Sequence, residues 1–231
     1  MPVRGSPLVK TLVRRLRRFG STLRFWKPGG YRARRYWEAR HGRFGFDMRG
    51  VGDLRRSDGE NRAEYAAAES AFASLCEREG IALDRGRVLE VGCGTGFYTR
   101  LCVEAGARDY TGIDIAETLF PELRRRYPGA VFERCDITER APRGPFDLIL
   151  MIDVEQHIVH EERFERAMQQ LHRCLAPGGA LVMTSWLAPE RRRRTLYEVE
   201  RPKSAYAGWR MGEPRRFRDK WIFVLRQGAP K

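Results

Sequence analysis

The chain has 231 residues, 42% hydrophobic and 32% charged, and its 44 Lys and Arg against 30 Asp and Glu give a formal charge of +14, a size that suits one domain plus an extension. No run of 18 apolar residues exists, so no transmembrane helix is expected. Arginines interrupt the apolar positions near the start, unlike a signal peptide, so a cytoplasmic protein is expected. Cys76, Cys93, Cys102, Cys135 and Cys174 are odd in number and form no C-x-x-C pair, which argues against a disulfide framework or a structural zinc.

Residues 1–43 hold 13 basic side chains against one acid, and residues 190–231 hold 13 against five. The stretch between is mildly acidic, so two basic ends flank the core and suit an anionic partner: phospholipid headgroups, nucleic acid or an acidic substrate. Leu8, Leu12, Leu16, Phe19 and Leu23 fall at helical spacing with Lys10, Arg14, Arg15, Arg17 and Arg18 on other faces. This basic amphipathic helix either makes peripheral contact with an anionic membrane or docks on the protein's own domain. Pro28-Gly29-Gly30 marks a turn or hinge, and 31–42 is predicted helical. Residues 42–53 are glycine-rich and aromatic and predict a structured loop. A helix is predicted over 60–79, with Tyr65, Ala68, Phe72 and Leu75 as its apolar stripe and Gly80 closing it.

The stretch RVLEVGCGTGFYTR (87–100) reads as a buried strand, a tight turn and a helix. Its glycines let a ligand approach the backbone closely, and the helix that follows presents unpaired N–H groups. A dinucleotide fingerprint needs a third glycine where Phe97 stands, so a pyrophosphate is not the favoured guest. YTGIDIA (110–116) predicts a second strand ending in Asp114, 18 residues after Gly96, where α/β nucleotide sites place a carboxylate for ribose hydroxyls. Together these features suggest a nucleoside without phosphates.

With VLEVGCGTG, GIDIA, CDIT, FDLILMIDVEQHI and LAPGGALVM in this order over about residues 86–186, the chain resembles the class I S-adenosylmethionine (SAM)-dependent methyltransferases. The resemblance implies an α/β fold of the Rossmann-like methyltransferase type. Such a fold has a mainly parallel seven-stranded sheet with an antiparallel last strand and helices on both faces, here with an N-terminal helical extension. It divides the chain into a basic extension (1–30), a helical lid or cap (31–85) and a SAM-binding core (86–231). In the cap, Tyr36, Trp37, His41, Phe44 and Phe46 either line a lid over the cofactor or serve packing alone. The resemblance also implies a cofactor site for SAM. Glu90 and the backbone of Gly92, Cys93, Gly94 and Gly96 would surround its methionine part, and Asp114 would accept the ribose hydroxyls. Ile115 would contact the adenine face, Asp136 and Ile137 its exocyclic edge, and the segment with Ile152 would flank the methyl group. Asp136 could instead cap the next turn.

Further strands are predicted over 130–133, 146–152 and 179–186, and helices over 96–105, 117–127 and 161–174. The tail is expected to add a helix over 190–200. An antiparallel pair is then predicted, with WRM joined to KWIFVLR through Gly212-Glu213-Pro214. Asp153 and His157, at the C-terminal edge of the fourth core strand, are the catalytic candidates. His157 has the pKa range of a general base, with a structural or pocket-lining role as the other reading. No N-P-P-Y, D-P-P-Y or Pro-Cys occurs, which disfavours the methylation of base amines or of cytosine C5. The four histidines share no metal-ligand spacing, so no metal is expected. The expected acceptor is a small molecule, lipid or glycan, methylated at oxygen, with nitrogen as the other option. An RNA methyltransferase and a non-catalytic adaptor with this fold are the alternatives.

Overall fold

The computed structural model describes residues 25–27, 30–84, 86–107 and 109–228. The basic segment 8–23 lies outside them, as does the Pro28-Gly29 turn. A short antiparallel pair, β1 (Trp26–Lys27) and β2 (Gly30–Tyr31), leads into α1 (Ala33–Phe44). A 3-10 turn at Met48–Gly50 follows, then α2 (Asp58–Arg78). α2 starts two residues before the expected position because Ser57 and Glu60 form a reciprocal cap. The Ser57 hydroxyl accepts the Glu60 N–H, and the Glu60 carboxylate accepts the Ser57 N–H at 2.7 Å.

The core then alternates: β3 (Arg87–Val91), α3 (Phe97–Glu104), β4 (Asp109–Asp114), α4 (Phe120–Arg126), β5 (Val131–Arg134), β6 (Phe146–Met151), α5 (Glu161–Cys174) and β7 (Leu175–Ser185). α4 starts three residues later than predicted, with Pro121 in its first turn, where a fixed φ and a missing N–H cost nothing. β7 starts four residues early. Its register shifts between Phe146 and Leu148, which absorbs the Ala-Pro-Gly-Gly stretch into the strand.

The chain closes with β8 (Arg192–Thr195), β9 (Glu198–Glu200), β10 (Trp209–Met211), β11 (Arg215–Phe217) and β12 (Lys220–Gln227). Two expectations are corrected here. Residues 190–200 form the antiparallel pair β8–β9 and not a helix. Consecutive like-charged arginines gain little from a helix, whereas Thr195 and Val199 suit a strand, and Val199 becomes fully buried. Residues 212–214 are not the hairpin turn. They break one edge strand into β10 and β11, both paired with β12, and the reversal falls at Arg218–Asp219.

The main sheet runs β10-β12-β7-β6-β3-β4-β5, with β11 beside β10 on the β12 edge. The strands from β7 to β5 are parallel and β12 runs antiparallel to β7, as the family resemblance implies. One face is covered by Phe72 and Leu75 of α2, Cys102 of α3 and Leu123 of α4. The other is covered by Phe164, Ala167 and Leu171 of α5. Central strands buried on both faces explain the nearly continuous apolar runs in the sequence. All five cysteines are free and buried. Among the described residues no helix is long and apolar enough to cross a membrane.

Candidate functional site

β3 pairs with β4 on one side and β6 on the other, so the order of the sheet reverses at β3 and opens a crevice at the strands' C-terminal ends. A cavity of about 770 Å³ occupies it. Glu90, Gly92, Cys93, Gly94, Asp114, Ile115, Asp136, Ile137, Ile152, Asp153 and His157 all line it, so residues from four strand ends converge as the sequence expects. Gly96 does not. It caps α3 at φ +78, and a Cβ there would stand 2.6 Å from Leu123 Cδ2, so its role is close helix packing.

The loop is closed by Asp114. Its Oδ2 accepts the Gly94 N–H at 3.1 Å and its Oδ1 the Ala116 N–H at 2.9 Å. Burial raises its pKa while His41 opposes that shift. Each oxygen keeps a lone pair for a further donor. Glu90 sits deeper, accepting from Thr99 Oγ1 at 2.7 Å and from the Tyr110 hydroxyl. Burial pushes its pKa to about 8, so it holds a proton at neutral pH. Burial likewise pushes the Cys93 thiol well up, which leaves no thiolate for nucleophilic chemistry. Asp136 is occupied: Thr138 N and Oγ1 donate to it, and Arg163 pairs with it at 2.6 Å. Its carboxylate therefore caps a turn, while Ile137 and Ile115 supply apolar wall.

The other end of the cavity differs from expectation at Asp153. This residue has φ +60, and its carboxylate pairs with Lys220 Nζ at 2.6 Å and with Arg218, which has φ +55. Burial alone would raise its pKa, but the two cations hold it well below the usual carboxylate range. Asp153 is thus a fixed anion that ties β6 to β12, and the structure does not leave it free to accept a proton. His157 is different. Its Nδ1 lies 3.1 Å from the Tyr197 carbonyl, which can only accept, so Nδ1 carries the proton and Nε2 the lone pair. Burial, reinforced by Lys220, lowers its pKa to about 4, so the ring is neutral at pH 7 but a weaker base than its ordinary pKa range implies.

The cap completes the wall. Tyr31, Trp37 and His41 line the cavity, whereas Phe44 and Phe46 pack beneath Arg49 and Arg126, and Tyr36 stacks on Tyr197. Trp37 meets the His157 ring edge-on at 5.2 Å. Val51 and Met48 rest on the glycine loop. A Cβ at Gly94 would be 2.9 Å from Val51 Cγ1, and Thr95 Oγ1 reaches Met48 Sδ at 3.9 Å. Sequence reasoning missed Tyr65, Phe97, Tyr98, Arg163 and the Tyr197 carbonyl. Tyr65 reads as part of a helix's apolar stripe, and the last two act on partners 27 and 40 residues away.

These features define an α/β nucleoside-binding enzyme fold with a capped crevice. The profile of the methyltransferase domain family matches residues 59–226, and the chain belongs to that family, within the class I SAM-dependent methyltransferases. Trans-aconitate 2-methyltransferase of Methylobacterium nodulans is 37% identical over 101 residues, 42% of this chain and 37% of that protein. Malonyl-[acyl-carrier protein] O-methyltransferase of Enterobacter lignolyticus is 31% identical over 147 residues, 62% of this chain and 55% of that protein. The chain thus matches about half the length of these relatives or less. The crystal structure of 1,6-didemethyltoxoflavin-N1-methyltransferase of Burkholderia thailandensis, with S-adenosylhomocysteine bound, shares the fold. It superposes with a TM-score of 0.62 at 18% identity over 87% of this chain and 92% of that one.

The donor set fits SAM. The open lone pairs of Asp114 suit a ribose diol, Ile115 and Ile137 suit a planar base, and the backbone at Gly92–Gly94 borders the same space.

Proposed function

We propose that the protein transfers the methyl group of SAM to an oxygen of a small-molecule acceptor, with lipids and glycans included in that class. One observation supports this reading most directly: a single cavity joins Asp114 and the glycine loop to a neutral His157 whose Nε2 faces only a long 3.4 Å contact from the Gln156 side-chain amide. SAM supplies an electrophilic methyl group on its sulfonium sulfur. The chain's task is then to hold donor and acceptor at attack distance and to remove a proton when the acceptor is a hydroxyl. Trp37 and Tyr31 wall the acceptor end and exclude water, His157 accepts the proton at Nε2, and the Tyr197 carbonyl keeps that tautomer in place. The relatives' names include both an O- and an N1-methyltransferase, so the acceptor atom is the finer part of the proposal.

A methyl-transfer screen with labelled SAM against phenols, carboxylic acids, sugars, fatty acids, amines and RNA tests it. The expected products carry the label on oxygen of a small acceptor, and His157→Gln turns over roughly 100-fold more slowly with hydroxyl acceptors. Labelled amine or salt-sensitive labelling of RNA would overturn the oxygen assignment. Unchanged turnover in His157→Gln would remove the base.

A further inference from the structure

His41 lies in the cavity wall on α1, 2% exposed, and neither ring nitrogen has a hydrogen-bond partner among the described residues. A buried polar ring without partners destabilises a fold, so its position calls for a bond made outside the protein. Its place is firmly set. Arg40, the adjacent residue, donates to the Arg49 carbonyl at 3.1 and 2.8 Å and to the Gly52 carbonyl, which locks α1 onto the 48–52 turn. That turn rests on the glycine loop through Met48 and Val51. Asp114, which lines the same cavity, acts electrostatically on the imidazole and opposes the downward pull of burial on its pKa, while Arg40 adds to that pull. Trp37, one turn earlier on the same face, meets the His41 ring at 5.7 Å and the His157 ring at 5.2 Å. His41 therefore stands at the nucleoside end of a row whose other end is the acceptor wall.

We infer that His41 is a cofactor-binding residue contributed by the cap: its ring bonds a ribose hydroxyl of the nucleoside that Asp114, lining the same cavity, also grips. The chemistry matches, because a neutral imidazole offers one donor and one acceptor and a ribose hydroxyl is both. The inference rests on the SAM-binding reading of the same cavity and adds a residue that lies outside the glycine-loop motif. It also explains why a cap helix should carry an unpartnered polar ring against the loop. That ring is spent on ligand recognition at the expense of the ligand-free fold.

The test separates these two effects. Full-length wild type, His41→Phe and His41→Gln are compared by thermal melting without ligand, and by calorimetric titration with S-adenosylhomocysteine and its 2′-deoxy and 3′-deoxy analogues. His41→Phe is expected to melt no lower than wild type, because an apolar ring replaces an unsatisfied polar one, yet to bind S-adenosylhomocysteine roughly ten-fold more weakly. His41→Gln, which keeps a donor and an acceptor, recovers part of the loss and serves if the Phe variant does not fold. One deoxy analogue should bind wild type and His41→Phe alike, since it lacks the hydroxyl the ring would hold. Equal affinity of all three proteins for S-adenosylhomocysteine, or a ten-fold difference that persists with both analogues, overturns the inference. Wild type that fails to bind S-adenosylhomocysteine at all overturns the SAM-binding reading itself, a distinct result.

Discussion

Glu90 is buried and His157 half-buried beside the same crevice, and removal from water drives each to its neutral form. For Glu90 the folded pKa of about 8 stands above the ordinary value of 4.5. Between those values the folded chain holds a proton that the unfolded chain has lost. The stability this contributes is fully present below about pH 4.5 and disappears as pH rises through about 8. Glu90→Gln cannot titrate, so its unfolding free energy should fall less between pH 5 and pH 8.5 than that of wild type, as measured by urea denaturation at each pH. Parallel profiles would contradict the assignment. Asp114, also raised by burial, adds its charge to the causes that raise the Glu90 pKa, so Glu90→Gln removes that coupling together with the titration. Single residues of this kind were legible as candidates because Glu90, Gly94 and Asp114 sit at fixed offsets around one turn. Their protonation states were not, because those depend on Thr99, Tyr110 and His41, which reach them only through the fold.

Among the elements, the β8–β9 pair matters most to the acceptor end of the cavity, since Tyr197 in its turn bonds His157 and stacks on Tyr36. It is anchored by Arg201, fully buried just past β9. Arg201 Nη1 pairs with Glu155 Oε2 at 2.6 Å, Nη2 meets the Ile158 carbonyl at 2.5 Å, and the guanidinium lies 3.8 Å over the Phe164 ring. Both partners of that ion pair are 0% exposed. Arg201→Met leaves the Glu155 carboxyl without its cation and should cost about 3–5 kcal/mol, read from denaturant unfolding. Arg201→Met with Glu155→Leu should recover most of the loss, because a buried pair replaced by apolar side chains is often nearly neutral. A single variant within about 1 kcal/mol of wild type would show that the pair does not fasten the hairpin. The sequence hid this arrangement. Residues 190–200 read as a helix, and Arg201 and Glu155 are 46 residues apart, with no local pattern to connect them. The core strands and α5, by contrast, were readable, since an apolar run or a 3.6-residue stripe is a local property of the chain.

At the scale of the whole molecule, the sheet reverses at β3, the loop after β3 lies against the next strand's acid, and the cap covers both. Family resemblance implied a mainly parallel sheet with an antiparallel last strand, and both are present. The edge formed by β10 and β11, and the Lys220–Asp153–Arg218 cluster that ties β12 to the crevice, are particular to long-range pairing in this chain. Everything proposed for the cavity requires that the crevice at β3 hold a nucleoside by its ribose. Calorimetric titration of S-adenosylhomocysteine into wild type and Asp114→Asn tests that most directly, with circular dichroism confirming that both are folded. The account predicts binding by wild type and roughly 30-fold weaker binding by Asp114→Asn, the loss expected when a charged acceptor becomes neutral. Equal affinity in the two proteins, or no binding by wild type, would contradict it.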